Sequence, residues 1–212
     1  MIVILDSAIA NLGSIYKAVL KAGLQAEVSS QPSLILRAGG VIFPGVGSYR
    51  PAMQRLQEKG LVEVLINVIE AGTPFLGICL GLQLLFSYGE EGVNSLGTFP
   101  RGLDMLPGAV KRFPPGLTVP HVGWNRVYLQ SPHPLFESLE EGSYFYFTHS
   151  YYVSPTQNEA ILALTNYGSN FASAVARNNL MGVQFHPEKS GPVGLQLLRN
   201  FGRITRDPSV LY

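Results

Sequence analysis

Glycine stands two residues to either side of the only cysteine in this chain, in Gly77-Ile78-Cys79-Leu80-Gly81. The form Gly-x-nucleophile-x-Gly lies between an apolar run, Pro74 to Ile78, and a helix-like stretch. It has the shape of a nucleophile elbow written with cysteine in place of serine. Glycine at those two offsets permits a sharp turn and close helix–strand packing. The thiol is then expected at a helix N-terminus, where the dipole and free N–H groups favour thiolate. The competing reading is a buried structural cysteine, which is common for this residue type.

A thiol nucleophile needs a base, and the histidines are His121, His133, His149 and His186. His133 sits between two prolines in a turn-rich stretch and reads as a surface residue. His186 lies in Gln184-Phe185-His186-Pro187-Glu188, directly after an apolar run. Pro187 fixes its own φ and disfavours the α region for His186, so the segment is expected to be extended. Residues 186 and 188 then point to one side, and the Glu188 carboxylate can hold the second imidazole nitrogen and its tautomer. A lone His-x-Glu is more often a surface pair. Its place at a strand end, in a chain that also carries an elbow cysteine, makes it the leading candidate. In Phe43-Pro44-Gly45-Val46-Gly47 a third apolar run ends in a glycine turn. The N–H groups of Val46 and Gly47, with that of Leu80, can form an oxyanion hole; an ordinary glycine turn is the alternative.

These segments need elements to hold them. Ile2 to Leu5 reads as a buried strand, followed by Asn11 as N-cap of a helix carrying Leu12, Ile15, Tyr16, Val19 and Leu20 and stopped at Gly23. Ala26 to Ser29 and Gly40 to Pro44 read as strands. Met53 to Gly60 and Leu61 to Ile69 read as helices, Pro74 to Ile78 as a strand and Leu80 to Tyr88 as a helix. This alternation predicts an open, mostly parallel or mixed α/β sheet with helices on both faces. Strand-like segments follow: Val122 to Leu129, Tyr144 to Val153, Ala160 to Thr165, Ala172 to Arg177 and Met181 to Phe185. They are expected to add antiparallel pairing, and a last helix is expected from Gly191 to about Arg203.

The chain has 212 residues, which suits a single domain over 1–212. Charged residues are only 14% against 46% hydrophobic, which excludes a disordered chain and suggests a surface partly covered by a partner. A net charge of +1 argues against nucleic acid. One cysteine excludes a disulfide framework and a multi-thiolate zinc site, and fits a reducing, cytoplasmic setting. No metal or cofactor is expected. Asp6 breaks the apolar N-terminus, so no signal peptide is expected. The uncharged run Ala71 to Gly89 has membrane length, but Gly72, Pro74, Gly77, Gly81 and Gln83 make it strand, turn and helix instead.

Pro44-Gly45-Val46-Gly47, Gly77 to Gln83 and Gly182 to Glu188, in that order, resemble the triad-type, class I glutamine amidotransferases, whose fold is flavodoxin-like. Pro120-His121-Val122-Gly123-Trp124-Asn125, Phe147-Thr148-His149-Ser150-Tyr151 and Gly102 to Phe113 narrow the resemblance to the glutaminase subunits of imidazole glycerol phosphate synthases. It covers essentially the whole chain. It implies that Cys79 attacks the side-chain amide of glutamine, that His186 moves protons and that Glu188 orients it. It also implies that Gln83 and Glu91, with His149, Ser150 and Tyr151, contact the substrate. In that family ammonia passes to a (β/α)₈ cyclase subunit, forming imidazole glycerol phosphate and an aminoimidazole carboxamide ribonucleotide in histidine biosynthesis. The resemblance therefore implies a heterodimer, with Asn11, Trp124, Asn125 and Lys189 near the interface. The glutaminases of pyridoxal phosphate or anthranilate synthase, a free γ-glutamyl hydrolase and a non-catalytic regulatory α/β module are the competing readings.

Three departures from the family pattern stand out. Ala8 and Ala10 occupy positions where glycine is usual, Asp104 replaces a common glycine, and Val122 a common methionine. Since alanine at positive φ is costly, both alanines are expected at negative φ, with the Asn11 side chain accepting from Gly13 or Ser14.

Overall fold

A computed structural model describes residues 1–8 and 10–212. The chain opens with β1 (Ile2–Leu5), α1 (Leu12–Lys21), β2 (Ala26–Ser29), α2 (Pro32–Ile35) and β3 (Gly40–Gly45). Then come α3 (Tyr49–Glu58), α4 (Val62–Glu70), β4 (Phe75–Cys79), α5 (Leu80–Gln83) and β5 (Phe86–Gly89). The second half is mostly strand: β6 (Leu106–Arg112), β7 (His121–Arg126), β8 (Tyr128–Leu129), β9 (Tyr144–His149) and β10 (Tyr151–Pro155). It closes with β11 (Ile161–Tyr167), β12 (Ser169–Arg177), β13 (Leu180–Val183) and α6 (Gly191–Arg206).

The main sheet runs β2-β1-β3-β4-β13-β12-β10-β6-β5, and β11 joins β12 to β8. β2, β1, β3, β4 and β13 are mutually parallel, while β12, β10 and β6 add antiparallel pairs, as the mixed α/β expectation requires. β1 shows why both faces are apolar. Ile2 and Ile4 pack with Ile15 and Val19 of α1 and Leu197 and Phe201 of α6. Val3 and Leu5 pack on the opposite face with Met53 and Leu56 of α3 and Leu65 and Val68 of α4. Strands buried on two faces read as continuous apolar runs, which is why Ile2 to Leu5 shows no alternation.

Three expectations about elements need correction. The helix expected over Leu80 to Tyr88 is a single turn ending at Gln83, and Phe86 to Gly89 is a strand. Leu84, Leu85 and Phe86 are all fully buried, and an uninterrupted buried run carries no period to tell helix from strand. Tyr144 to Val153 is two strands in two sheets: β9 pairs with β7 in a separate ribbon, and β10 joins the main sheet. β6 forms where no element was expected, between residues 97 and 120, where glycine and proline are frequent. Its Gly108 has φ +143°, and a Cβ there would sit 2.5 Å from the Ser154 carbonyl oxygen, so that glycine serves close strand approach.

The loop after β1 also differs. Ala8 has φ +61°, overturning the expected negative value, and its N–H donates to Asp6 Oδ1 at 3.0 Å. Asp104 has φ +57°. At these two departures a side chain occupies the left-handed region that glycine enters freely. The φ of Ala10 depends on residue 9, outside the described residues. The cap forms as expected, Asn11 Oδ1 accepting from Ser14 N at 3.4 Å. Among the described residues no helix is long and apolar enough to cross a membrane.

Candidate active site

The three motifs end three adjacent parallel strands. In the β3–β4 register Gly45 lies opposite Cys79, and in the β13–β4 register Val183 lies opposite Ile78. All three loops therefore leave the sheet at its carboxyl edge, where open α/β sheets bind ligands.

Cys79 closes β4 with φ 55° and ψ −110°, a conformation that L side chains rarely adopt and that marks a strained elbow. The flanking glycines are sterically required. A Cβ on Gly77 would come within 2.9 Å of the Gly81 carbonyl oxygen and Leu82 Cα. One on Gly81 would come within 1.9 Å of the Phe43 carbonyl oxygen. The helix behind the thiol is shorter than expected, so a long aligned dipole is not available there. What remains is local: Leu80 opens the turn, and its N–H has no acceptor within α5.

His186 Nδ1 and Glu188 Oε1 are 2.8 Å apart, with side chains only 2% and 8% exposed. The route differs from the extended segment expected. His186 is extended at φ −102° and ψ 98°, but Pro187–Lys189 forms a 3₁₀ turn that folds Glu188 back onto the ring. The backbone is anchored to the ribbon: His186 N donates to the Tyr146 carbonyl at 2.9 Å, and Ser190 Oγ bonds to the His186 carbonyl and accepts from Tyr146 N. His186 Nε2 is buried and has no hydrogen-bond partner among the described residues. Burial pulls the imidazole pKa down, but interaction with the Cys79 side chain and with the Glu188 carboxylate outweighs it and carries it up to about 10. A protonated imidazole beside the sulfur is the arrangement this favours.

A cavity of about 260 Å³ opens over the thiol. Val46, Gly47 and Leu80 line it together with Cys79, Gln83, Glu91, His149, Ser150 and Tyr151. All the candidate oxyanion and substrate residues are thus gathered in one place. Two of them have other work as well. Glu91 Oε2 accepts from the Tyr49 N–H at 2.7 Å, capping α3, so its carboxylate is held in position. Gln83 Nε2 donates to the Tyr151 carbonyl at 2.9 Å and to Gln184 Oε1 at 3.1 Å.

Sequence reasoning missed Gln184, Thr148 and Pro120. Gln184 is fully buried and its Nε2 lies 3.6 Å from Cys79 Sγ. A polar residue two before His186 in an apolar run was the available signal. Thr148 and Pro120 line the cavity, and the Thr148 carbonyl faces the thiol at 3.9 Å. His133 is half-buried and not wholly on the surface; its Nδ1 accepts from Leu135 N at 3.1 Å.

The expected interface residues are placed unequally, two of them on the β7–β9 ribbon. Trp124 is 55% exposed and meets Tyr146 edge-on at 6.0 Å, and Lys189 Nζ lies 5.7 Å over the Tyr146 ring. With Val122 they form an exposed aromatic and cationic strip. Asn125 is on the ribbon's inner side, its amide committed to the Asn166 carbonyl and to His121. Asn11 is exposed at the start of α1.

The sequence model of the class-I glutamine amidotransferase family matches residues 3–204. The chain is 50% identical over 205 residues to the imidazole glycerol phosphate synthase subunit HisH of Moorella thermoacetica, covering 97% of this chain and 95% of that one. It is 45% identical over 211 residues to the HisH subunit of Desulfitobacterium hafniense, covering 99% and 98%. It is 48% identical over 210 residues to that of Thermosynechococcus vestitus, covering 97% and 98%. Among solved structures, PurLQS from Thermotoga maritima superposes with a TM-score of 0.74 at 17% identity, covering 94% of this chain and 96% of that one. A glutamine amidotransferase crystal structure superposes with a TM-score of 0.73 at 18% identity, covering 96% and 98%. At such identities the structures speak for the fold alone.

Proposed function

The chain belongs to the class I glutamine amidotransferase family, and we propose that it is the glutaminase subunit of an imidazole glycerol phosphate synthase. The observation that carries the chemistry is the buried, unpartnered His186 Nε2, oriented by Glu188 and electrostatically coupled to Cys79 at the cavity floor.

Glutamine enters the cavity with its side-chain amide over Cys79. The Cys79 thiolate attacks the amide carbon, and the carbonyl oxygen takes the negative charge of the tetrahedral intermediate. The N–H of Leu80 and an N–H of the Val46–Gly47 turn stabilise that charge. His186 gives its proton to the amide nitrogen, the C–N bond breaks, and ammonia leaves behind a γ-glutamyl thioester. His186, now neutral, takes a proton from water as its oxygen attacks the thioester carbon. Glutamate leaves and the thiolate returns. Glu188 holds Nδ1–H throughout, so that Nε2 always faces the reacting atoms. Gln83, Glu91 and the His149–Tyr151 segment hold the amino-acid end of the substrate.

The partner is the (β/α)₈ cyclase subunit, in a 1:1 heterodimer, and ammonia passes to it directly. The exposed strip of Val122, Trp124 and Lys189 supports this, since an aromatic anchor beside polar groups is a usual hot spot. Glutamate release from glutamine, measured with and without the cyclase subunit, tests the reading. Release that Cys79→Ala abolishes is the expected result. No release in either condition, or no binding to the cyclase at micromolar concentration, defeats it.

A further inference from the structure

We propose that His121 is a positioning residue: through His149 it holds the Tyr151 wall of the glutamine cavity in register with the β7–β9 ribbon. The role of that wall in glutamine binding rests on the function proposed above.

His121 and His149 lie directly opposite each other in the ribbon. Their rings meet with His121 Nδ1 3.0 Å from His149 Nε2. His149 Nδ1 lies 2.8 Å from the Tyr151 carbonyl, and His121 Nε2 lies 3.3 Å from Asn125 Nδ2. The proton positions follow from either end. The Tyr151 carbonyl only accepts, so His149 Nδ1 carries hydrogen and, in a neutral ring, Nε2 accepts. His121 Nδ1 must then donate, and its Nε2 must accept from the Asn125 amide. Asn125 agrees independently: Nδ2 also donates to the Asn166 carbonyl at 2.9 Å, and Oδ1 accepts from Arg126 N at 2.8 Å.

Both rings are buried, at 4% and 6% exposure, and burial lowers their pKa values to about 4 for His121 and about 3 for His149. Both are therefore neutral at pH 7, as the bonding pattern requires. His121 is stacked between Tyr167, at 4.0 Å, and Phe147, at 5.0 Å, so it cannot swing away.

The line continues to the nucleophile. The Tyr151 carbonyl also accepts from Gln83 Nε2, which donates in turn to Gln184 Oε1, and Gln184 Nε2 faces Cys79 Sγ. One run of hydrogen bonds therefore joins Asn125 in the ribbon to the thiol. Nothing in the hydrolysis needs His121 or Asn125 as an acid or base. Deleting the His121 donor would strand His149 Nε2 as a buried acceptor and release the ring that holds the Tyr151 carbonyl.

Two substitutions separate bonding from packing. His121→Phe keeps a ring between Tyr167 and Phe147 but removes the donor. His121→Asn places an amide nitrogen near the position of Nδ1. With the cyclase complex, His121→Phe is expected to raise the KM for glutamine roughly 5- to 150-fold, the range for leaving a buried group unpaired, with a smaller change in kcat. His121→Asn is expected to recover most of that loss. A KM within twofold of wild type for His121→Phe, or an equal loss in both variants, overturns the proposal. ¹⁵N NMR of the histidines in the isolated chain decides the relay without any activity. Both rings should be neutral Nδ1–H tautomers at pH 7, and His149 should change in His121→Phe. An Nε2–H or charged ring in the wild type also overturns it. If the tautomers are as stated but no glutamate is released, it is the proposed function that fails.

Discussion

Gly81 and Phe43 lock the nucleophile turn onto the strand that precedes the glycine loop: a Cβ on Gly81 would stand 1.9 Å from the Phe43 carbonyl oxygen. Gly81→Ala must therefore push α5 away from β3, shifting Leu80 relative to Val46 and Gly47. A loss of about 1–3 kcal/mol in stability is expected from such overpacking, with glutaminase activity falling further than stability does. Urea denaturation beside glutamate release checks both. Unchanged activity in Gly81→Ala would contradict the packing argument.

Cys79 combines the reacting thiol with a strained backbone, φ 55° and ψ −110°. Cys79→Ala should abolish glutamine hydrolysis and leave the fold intact. Cys79→Gly should also be inactive, yet gain roughly 1 kcal/mol, because glycine enters positive φ without a side-chain penalty. Thermal melting of the two variants distinguishes them. A Cys79→Gly protein less stable than Cys79→Ala would remove strain from the account.

His186 should lose nearly all activity on substitution by Ala, and Glu188→Gln should be milder, since it removes only the orienting charge. Stability carries a second signature. The folded protein keeps a proton on His186 up to about pH 10, whereas the unfolded chain releases it near 6.5. The stabilisation is complete below the lower value, declines as pH rises and is gone above the upper one. Denaturant midpoints of wild type and His186→Gln, taken across that window, should converge with rising pH. Divergence would show the sign to be wrong.

Ala8 sits at φ +61°. Ala8→Gly should stabilise the chain by roughly 1 kcal/mol, or about 2–4 °C in Tm for a chain of this size. Basal glutamine hydrolysis should be unchanged, because none of the described residues of the loop lines the cavity. Calorimetry showing a lower Tm would mean that other contacts of Ala8 outweigh its strain.

Trp124 is the most exposed aromatic of the ribbon. Trp124→Ala should weaken binding to the cyclase subunit by about 2 kcal/mol or more, roughly 30-fold in Kd. Titration calorimetry of the two subunits measures it. An unchanged Kd would move the interface elsewhere.

The elbow could be read directly because local chemistry dictates it: glycine at 77 and 81 around a cysteine, at the junction of an apolar run and a turn, admits few backbone paths. The Asn11 cap was legible in the same way, and so was the pairing of His186 with Glu188, though not its path: the segment expected to be extended is a 3₁₀ turn. The apolar runs Ile2 to Leu5, Gly40 to Pro44 and Pro74 to Ile78 could hardly be anything but buried strands, and their alternation with helices implied the parallel sheet. Folding in three dimensions settled what depends on partners distant in the chain. Ala8 looked free to take negative φ until the path between β1 and α1 was built. Leu84 to Phe86 became turn and strand because β6 lies beside them. Gln184 meets Cys79, and His121 meets His149, only through strand register. A residue type and its neighbours constrain the torsions and burial of a short segment. Which donor faces which acceptor across 28 or 105 residues of chain depends on how whole strands align, and no local pattern carries that.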